Sequence, residues 1–172
     1  MKIIIILVYT IISIQYSLAQ DIIKTREISR YTVTDNGLKQ NIKDYIQYEQ
    51  LFCKEYPTDL LIFIDIKNVD CNKINFSISA CERDMKNDYL LTLNDVEIMY
   101  LQYQGHTIFV TGNYKQTPFF QKKDESIQIP YSKDMKLLFY DPPYTTIEYE
   151  YDIIKKKFSV TNIYRDEDAY IR

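Results

Sequence analysis

The feature that most limits what this chain can fold into is a change of period near residue 59. Beyond it, apolar residues recur at every second position. In "KINFSISA" (Lys73 to Ala80), Ile74, Phe76 and Ile78 alternate with Asn75, Ser77 and Ser79. Successive side chains of an extended strand point to opposite faces, so this pattern describes a strand with one face packed and one wet. "TIEYEYDI" (Thr146 to Ile153) repeats it, with Ile147, Tyr149, Tyr151 and Ile153 on one face and Glu148, Glu150 and Asp152 on the other. "VEIMYLQYQ" (Val96 to Gln104), "TIFVTG" (Thr107 to Gly112), "KLLFY" (Lys136 to Tyr140) and "KFSVTNIY" (Lys157 to Tyr164) also read as strands. The run "DLLIFIDI" (Asp59 to Ile66) is apolar without alternation, as a central strand covered on both faces would be.

Before the change the period is helical. "LKQNIKDYIQYEQLFC" spaces Leu38, Ile42, Tyr45, Ile46, Phe52 and Cys53 as one apolar stripe, with Lys39, Lys43, Asp44 and Gln47 mostly off it. Asp35 or Asn36 can cap its start through a side-chain oxygen, and Pro57 stops it from running further. "EISRYTV" (Glu27 to Val33) precedes it as a short strand. The predicted fold is α+β: one amphipathic helix, about 38–53, packed on a mostly antiparallel meandering sheet of about 6–8 strands.

The N-terminus reads as an address. "MKIIIILVYTIISIQYSLAQ" has a positive start at Lys2, an apolar run from Ile3 to Ile14 and the small-x-small pattern Ser17-Leu18-Ala19. That is the form of a cleaved secretory signal, and the run is shorter than the roughly 20 residues a membrane span needs. Residues 1–19 are thus a signal peptide and 20–172 a single globular domain, secreted or periplasmic, without an integral membrane segment in the mature chain. The formal charge of −3, more negative by one once Lys2 is lost, argues against nucleic-acid binding, which needs a basic footprint. Three glycines are too few for phosphate-cradling loops, and no cofactor is indicated.

Export makes disulfides possible for Cys53, Cys71 and Cys81. The strand after the helix runs out roughly 25 Å at about 3.3 Å per residue, and its antiparallel neighbour returns. Cys53 and Cys81 are thereby predicted close, whereas Cys71 sits at the far turn, too distant from Cys81 for a bridge. Cys71 is left as a free thiol or an intermolecular link. The wide cysteine gaps and one histidine do not make a metal site.

Few residues look catalytic. His106 is the only histidine, and Gly105-His106 reads as the centre of a type II′ hairpin turn, which pairs Tyr103 with Ile108 and Leu101 with Val110. Glu148, Glu150 and Asp152 could line a cleft, but they are the pattern of a solvated strand face. Lys155-Lys156-Lys157 falls in a turn, its ordinary place, and "RDEDAYIR" ends the chain as a solvated tail. "NFS" at Asn75–Ser77 matches a glycosylation acceptor but falls on a strand. The segment 113–135 is long for a loop and carries Phe119-Phe120. One reading makes it a partner-binding loop with Tyr114, Phe119, Phe120 and Tyr131 as contacts. The other tucks the phenylalanines into the core or makes "SIQIPY" an edge strand. The expectation is an exported non-enzymatic binding protein whose partner is another protein, such as an inhibitor or immunity-type protein. The alternatives are a small secreted hydrolase using a carboxylate or His106, and a carbohydrate-binding surface protein.

Overall fold

The computed structural model describes residues 24–52, 61–81, 97–131 and 145–165. The expected signal peptide, Cys53 and the expected strand at 136–140 lie outside these residues. In chain order the elements are β1 (Lys24–Val33), α1 (Asn36–Phe52), β2 (Leu61–Val69), β3 (Lys73–Cys81), β4 (Ile98–Tyr103), β5 (His106–Gly112), a 3-10 turn (Tyr114–Gln116), β6 (Phe120–Tyr131), β7 (Thr145–Asp152) and β8 (Lys157–Arg165). The eight strands form one sheet in the order β6-β1-β4-β5-β2-β3-β7-β8. The fold is mostly sheet with one α-helix among the described residues, consistent with an α+β class.

The sheet is mixed, which corrects the expected meander. β2 runs parallel to β5, and β1 runs parallel to β4. The parallel β2–β5 contact sets Ile62 beside Ile108 and Ile64 beside Val110 on one face. It sets Phe63 beside Phe109 on the other, their rings stacked at 5.8 Å. Pairing the two most apolar strands side by side buries both faces of each at the sheet centre. A hairpin cannot do this for strands that point the same way.

Helix α1 covers one face. Asp35 caps it, its Oδ1 accepting from the Leu38 N–H at 2.9 Å. Leu38, Ile42, Tyr45 and Ile46 pack onto Ile62, Ile64, Ile74, Phe76, Ile78, Met99, Leu101, Ile108, Val110 and the tyrosines of β7. The Tyr45 hydroxyl donates to the Thr145 carbonyl at 2.7 Å, tying the helix to β7. On the opposite face a second cluster joins Leu61, Phe63, Ile98, Tyr100 and Phe109 to Ile28 and Ile129 of the β1–β6 ribbon. Towards β3, β7 and β8 that opposite face turns polar, with Asn75, Ser77 and Ser79 beside Glu150, Glu148 and Thr146.

Two turns are set by side-chain acceptors. Asp70 Oδ1 takes the N–H groups of Asn72 and Lys73 between β2 and β3, and Asp152 Oδ1 takes those of Ile154 and Lys155 between β7 and β8. Gly112, at φ 75°, ends β5 where a Cβ would lie 2.2 Å from the Ile66 carbonyl oxygen, so the close β2–β5 approach there requires glycine.

Candidate functional site

The hairpin that carries the histidine forms, but one residue earlier than expected. Its central residues are Gln104 and Gly105, at φ 49° and 85°, and His106 opens β5 opposite Tyr103. Positive φ at both positions is a type I′ turn, whose twist matches that of the flanking strands. The register therefore moves by two, to Leu101↔Ile108 and Met99↔Val110. A shift of two keeps every side chain on its face, so the buried set is unchanged. Gln102 Nε2 donates to Thr107 Oγ1 at 2.9 Å across the strands. His106 is half-buried beside the turn.

The carboxylates of β7 are each held by a lysine. Glu148 pairs with Lys67, Glu150 with Lys73 at 3.0 Å and Asp152 with Lys155 at 3.1 Å. Asp152 is moreover held below its usual carboxylate range by the backbone N–H and ammonium of Lys155. A general acid for glycoside hydrolysis needs the opposite, a raised pKa. Among the described residues no group of three or more His, Cys, Asp or Glu side chains is placed to hold a metal ion.

The segment after β5 is ordered. Tyr114 and Phe119 are both buried, which removes them as exposed contacts for a partner. Phe119 stands in an aromatic box, 6.2 Å from Phe76, 6.1 Å from Phe120, 5.0 Å from Tyr151 and 5.6 Å from Phe158, centroid to centroid. The end of β1 holds it there: the Thr34 N–H donates to the Phe119 carbonyl at 2.7 Å and Thr34 Oγ1 to that of Pro118 at 3.0 Å. The physical reason is pairing. Residues 120–131 form β6 against β1, so Phe119 enters at the rim of the sheet beside the helix start. Phe120 is half-buried against the same core, and the Tyr131 side chain lies outside the described residues. "SIQIPY" belongs to this edge strand, as the second reading expected.

Of the cysteines, Cys71 is an exposed free thiol in the β2–β3 turn, at the far end from Cys81, which closes β3 opposite Leu61. The expected Cys53–Cys81 bridge falls on Cys53 and the Cys81 side chain, which lie outside what the structure describes.

Sequence reasoning expected β8, at Lys157–Tyr164, but missed its place in the sheet. Among the described residues it is the last strand of the sheet, paired with β7 on one side only. Every side chain from Ser159 to Arg165 is exposed, and Val160, Ile163 and Tyr164 each keep more than half of their surface in water. The stretch Phe158 to Tyr164, "FSVTNIY", has no charge, while Lys155-Lys156-Lys157 precede it and Arg165-Asp166-Glu167-Asp168 follow in the sequence. The opposite edge, β6, is the contrast: its exposed run carries Lys122, Lys123, Asp124 and Glu125. Charges blunt a free strand edge; an uncharged one is a template for another strand. The signal in the sequence was that charge-free interval, but it acquires meaning only once β8 is known to be an edge.

No protein-family model, curated protein or solved structure matches this chain. No helix among the described residues is long and apolar enough to cross a membrane.

Proposed function

We propose that this is an exported, non-enzymatic binding protein that holds a protein partner, and that the contact is made at the β8 edge rather than by Phe119 and its neighbours. The observation that carries this reading is the charge-free strand at the edge of the described sheet, with Val160, Ile163 and Tyr164 exposed. An incoming strand there would satisfy unpaired backbone groups and cover these side chains, the mode called β-strand addition. The lysine-held carboxylates of β7 and the position of His106 favour binding over hydrolysis. An inhibitor or immunity-type role, in which a partner is held and not altered, fits such a surface.

The test compares the protein with a Val160→Lys, Ile163→Lys variant, both immobilised and exposed to extracts of the source and its neighbours. Retention by the protein, reduced about ten-fold or more in the variant by burying two ammonium groups, supports the reading. Equal retention by both would place the contact elsewhere, and no retention at all would remove the binding reading.

A further inference from the structure

Resting on the reading of β8 as a contact edge, we infer the chemistry of the strand it receives: an acidic extended segment, antiparallel to β8, with apolar side chains at alternate positions on the helix side. The register inside the sheet carries this. Tyr149 pairs with Val160 and Glu148 with Asn162, so Thr161 is the extra residue of a bulge in β8. In an unbulged strand, residues three apart lie on opposite faces. The bulge returns them to one face. Val160 stands opposite Tyr149 and Ile163 opposite Ile147, and Tyr149 and Ile147 both belong to the cluster packed under the helix.

Val160 and Ile163, each more than half exposed, are thus neighbours on the helix side of the outermost described strand. β7 shows the kind of strand that fits them. It meets the bulge with alternate residues, Tyr149 and Ile147, and keeps Glu148 between them on the polar face. A strand entering on the outer side of β8 crosses the same bulge, so it too meets Val160 and Ile163 with alternate residues. Bulges of this kind belong mostly to antiparallel pairs, which sets the direction. Covering the two aliphatic side chains takes apolar partners at those positions, because cross-strand pairs are the unit of sheet stabilisation. Ser159, Asn162 and Tyr164 lie on the other face, opposite Glu150, Glu148 and Thr146, so the residues in between are polar. The Ile163 N–H donates to Asn162 Oδ1 at 2.9 Å, and a carbonyl of the incoming strand would take that place.

Charge sets the sign of the partner. The charged residues within β8 are Lys157 and Arg165, both positive and exposed, one at each end of the strand. Within the sheet, β7 answers Lys157 with Asp152 in the register. A basic strand on the outer side would set like charges opposite one another, which is unfavourable, whereas an acidic one sets opposite charges there. The other edge, β6, mixes Lys122 and Lys123 with Asp124 and Glu125 in its exposed run and so favours neither sign.

The test uses fluorescence anisotropy of a labelled peptide with the sequence of β7, "TTIEYEYD", which has both the alternation and the sign, added to the purified protein. A second peptide of the same composition places its isoleucine and two tyrosines side by side. The first is expected to bind, and the second to bind about ten-fold more weakly or not at all. Val160→Lys with Ile163→Lys is expected to weaken binding of the first peptide about ten-fold or more, because ammonium groups then stand where apolar contacts formed. Lys157→Glu with Arg165→Glu is expected to weaken it several-fold at low salt, and the difference should shrink at about 1 M salt, where exposed charges are screened. No binding, equal binding of both peptides, or binding indifferent to either pair of substitutions overturns the inference. Far-UV circular dichroism checks that the variants are folded; should one not be, the two peptides and the salt dependence on the parent protein decide. Retention of a protein through Val160 and Ile163, with no preference between the peptides, would end this inference and leave the proposed function standing. Peptide binding at β8 with no protein retained from extracts would end the proposed function and leave the strand chemistry standing.

Discussion

Replacing Phe119 with alanine tests the central structural revision, that this residue is core and not a surface anchor. Its side chain is fully buried among Phe76, Phe120, Tyr151 and Phe158. A phenylalanine buries on the order of 150–250 Å², which at about 25 cal/mol per Å² corresponds to roughly 4–6 kcal/mol of lost burial. Part of this is recovered in an unfolded chain that is itself partly collapsed, and part as the neighbours relax. The expected loss is therefore about 3–5 kcal/mol, as for other buried Phe→Ala changes. The assay is urea unfolding followed by circular dichroism. With a slope of roughly 2 kcal/mol per M, the midpoint should fall by about 2 M. Phe120→Ala, half-buried at the margin of the same box, should lose less than half as much. A Phe119→Ala loss under about 1 kcal/mol, in the range of surface substitutions, would refute the packing argument.

Other outcomes follow from single positions. Gly112→Ala should lose at least about 2 kcal/mol, because its Cβ would stand 2.2 Å from the Ile66 carbonyl oxygen at a positive φ; Gly105→Ala, with nothing within 4 Å, should lose only about 1 kcal/mol, both read by thermal melting. Asp35→Ala should lose about 1 kcal/mol through the lost cap at Leu38. Asp152 has a folded pKa below its ordinary value of 3.8, so its contribution is present above that value and is lost as pH falls through the lowered one. Asp152→Asn should accordingly flatten the decline of stability below about pH 4 in urea titrations. Tyr149 is pushed up to about 12, by burial first and the Asp44 charge second. Its contribution is present below the unfolded value of about 10 and is lost as pH rises towards 12, so Tyr149→Phe should unfold less readily at high pH than the parent does.

Local pattern accounts for much of the architecture. The helix expected over 38–53 spans Asn36–Phe52, and the alternation of Ile74, Phe76 and Ile78, and of Ile147, Tyr149 and Tyr151, marks the face that packs under it. Periodicity is a property of a strand's own two faces, so it reports which side chains go in without reference to neighbours. The hairpin illustrates the limit. The face of Leu101 and Val110 was legible, but the turn lay one residue earlier, because the pattern is indifferent to a shift of two and only backbone twist separates the alternatives.

By itself, then, the sequence determined the number and kind of most elements, the capped helix, the inward-facing residues and the turn at Cys71. The tertiary structure alone decided which strands are neighbours. That order depends on burying both faces of β2 and β5 at once, a cooperative outcome of long-range packing with no local signature. From it came everything bearing on the candidate site. Phe119 lies inside because β6 pairs with β1, the β7 carboxylates meet lysines brought from β2, β3 and the β7–β8 turn, and "FSVTNIY" is exposed because β8 comes last among the described strands of the sheet. An edge is a position in a sheet, and no residue of a strand encodes it alone.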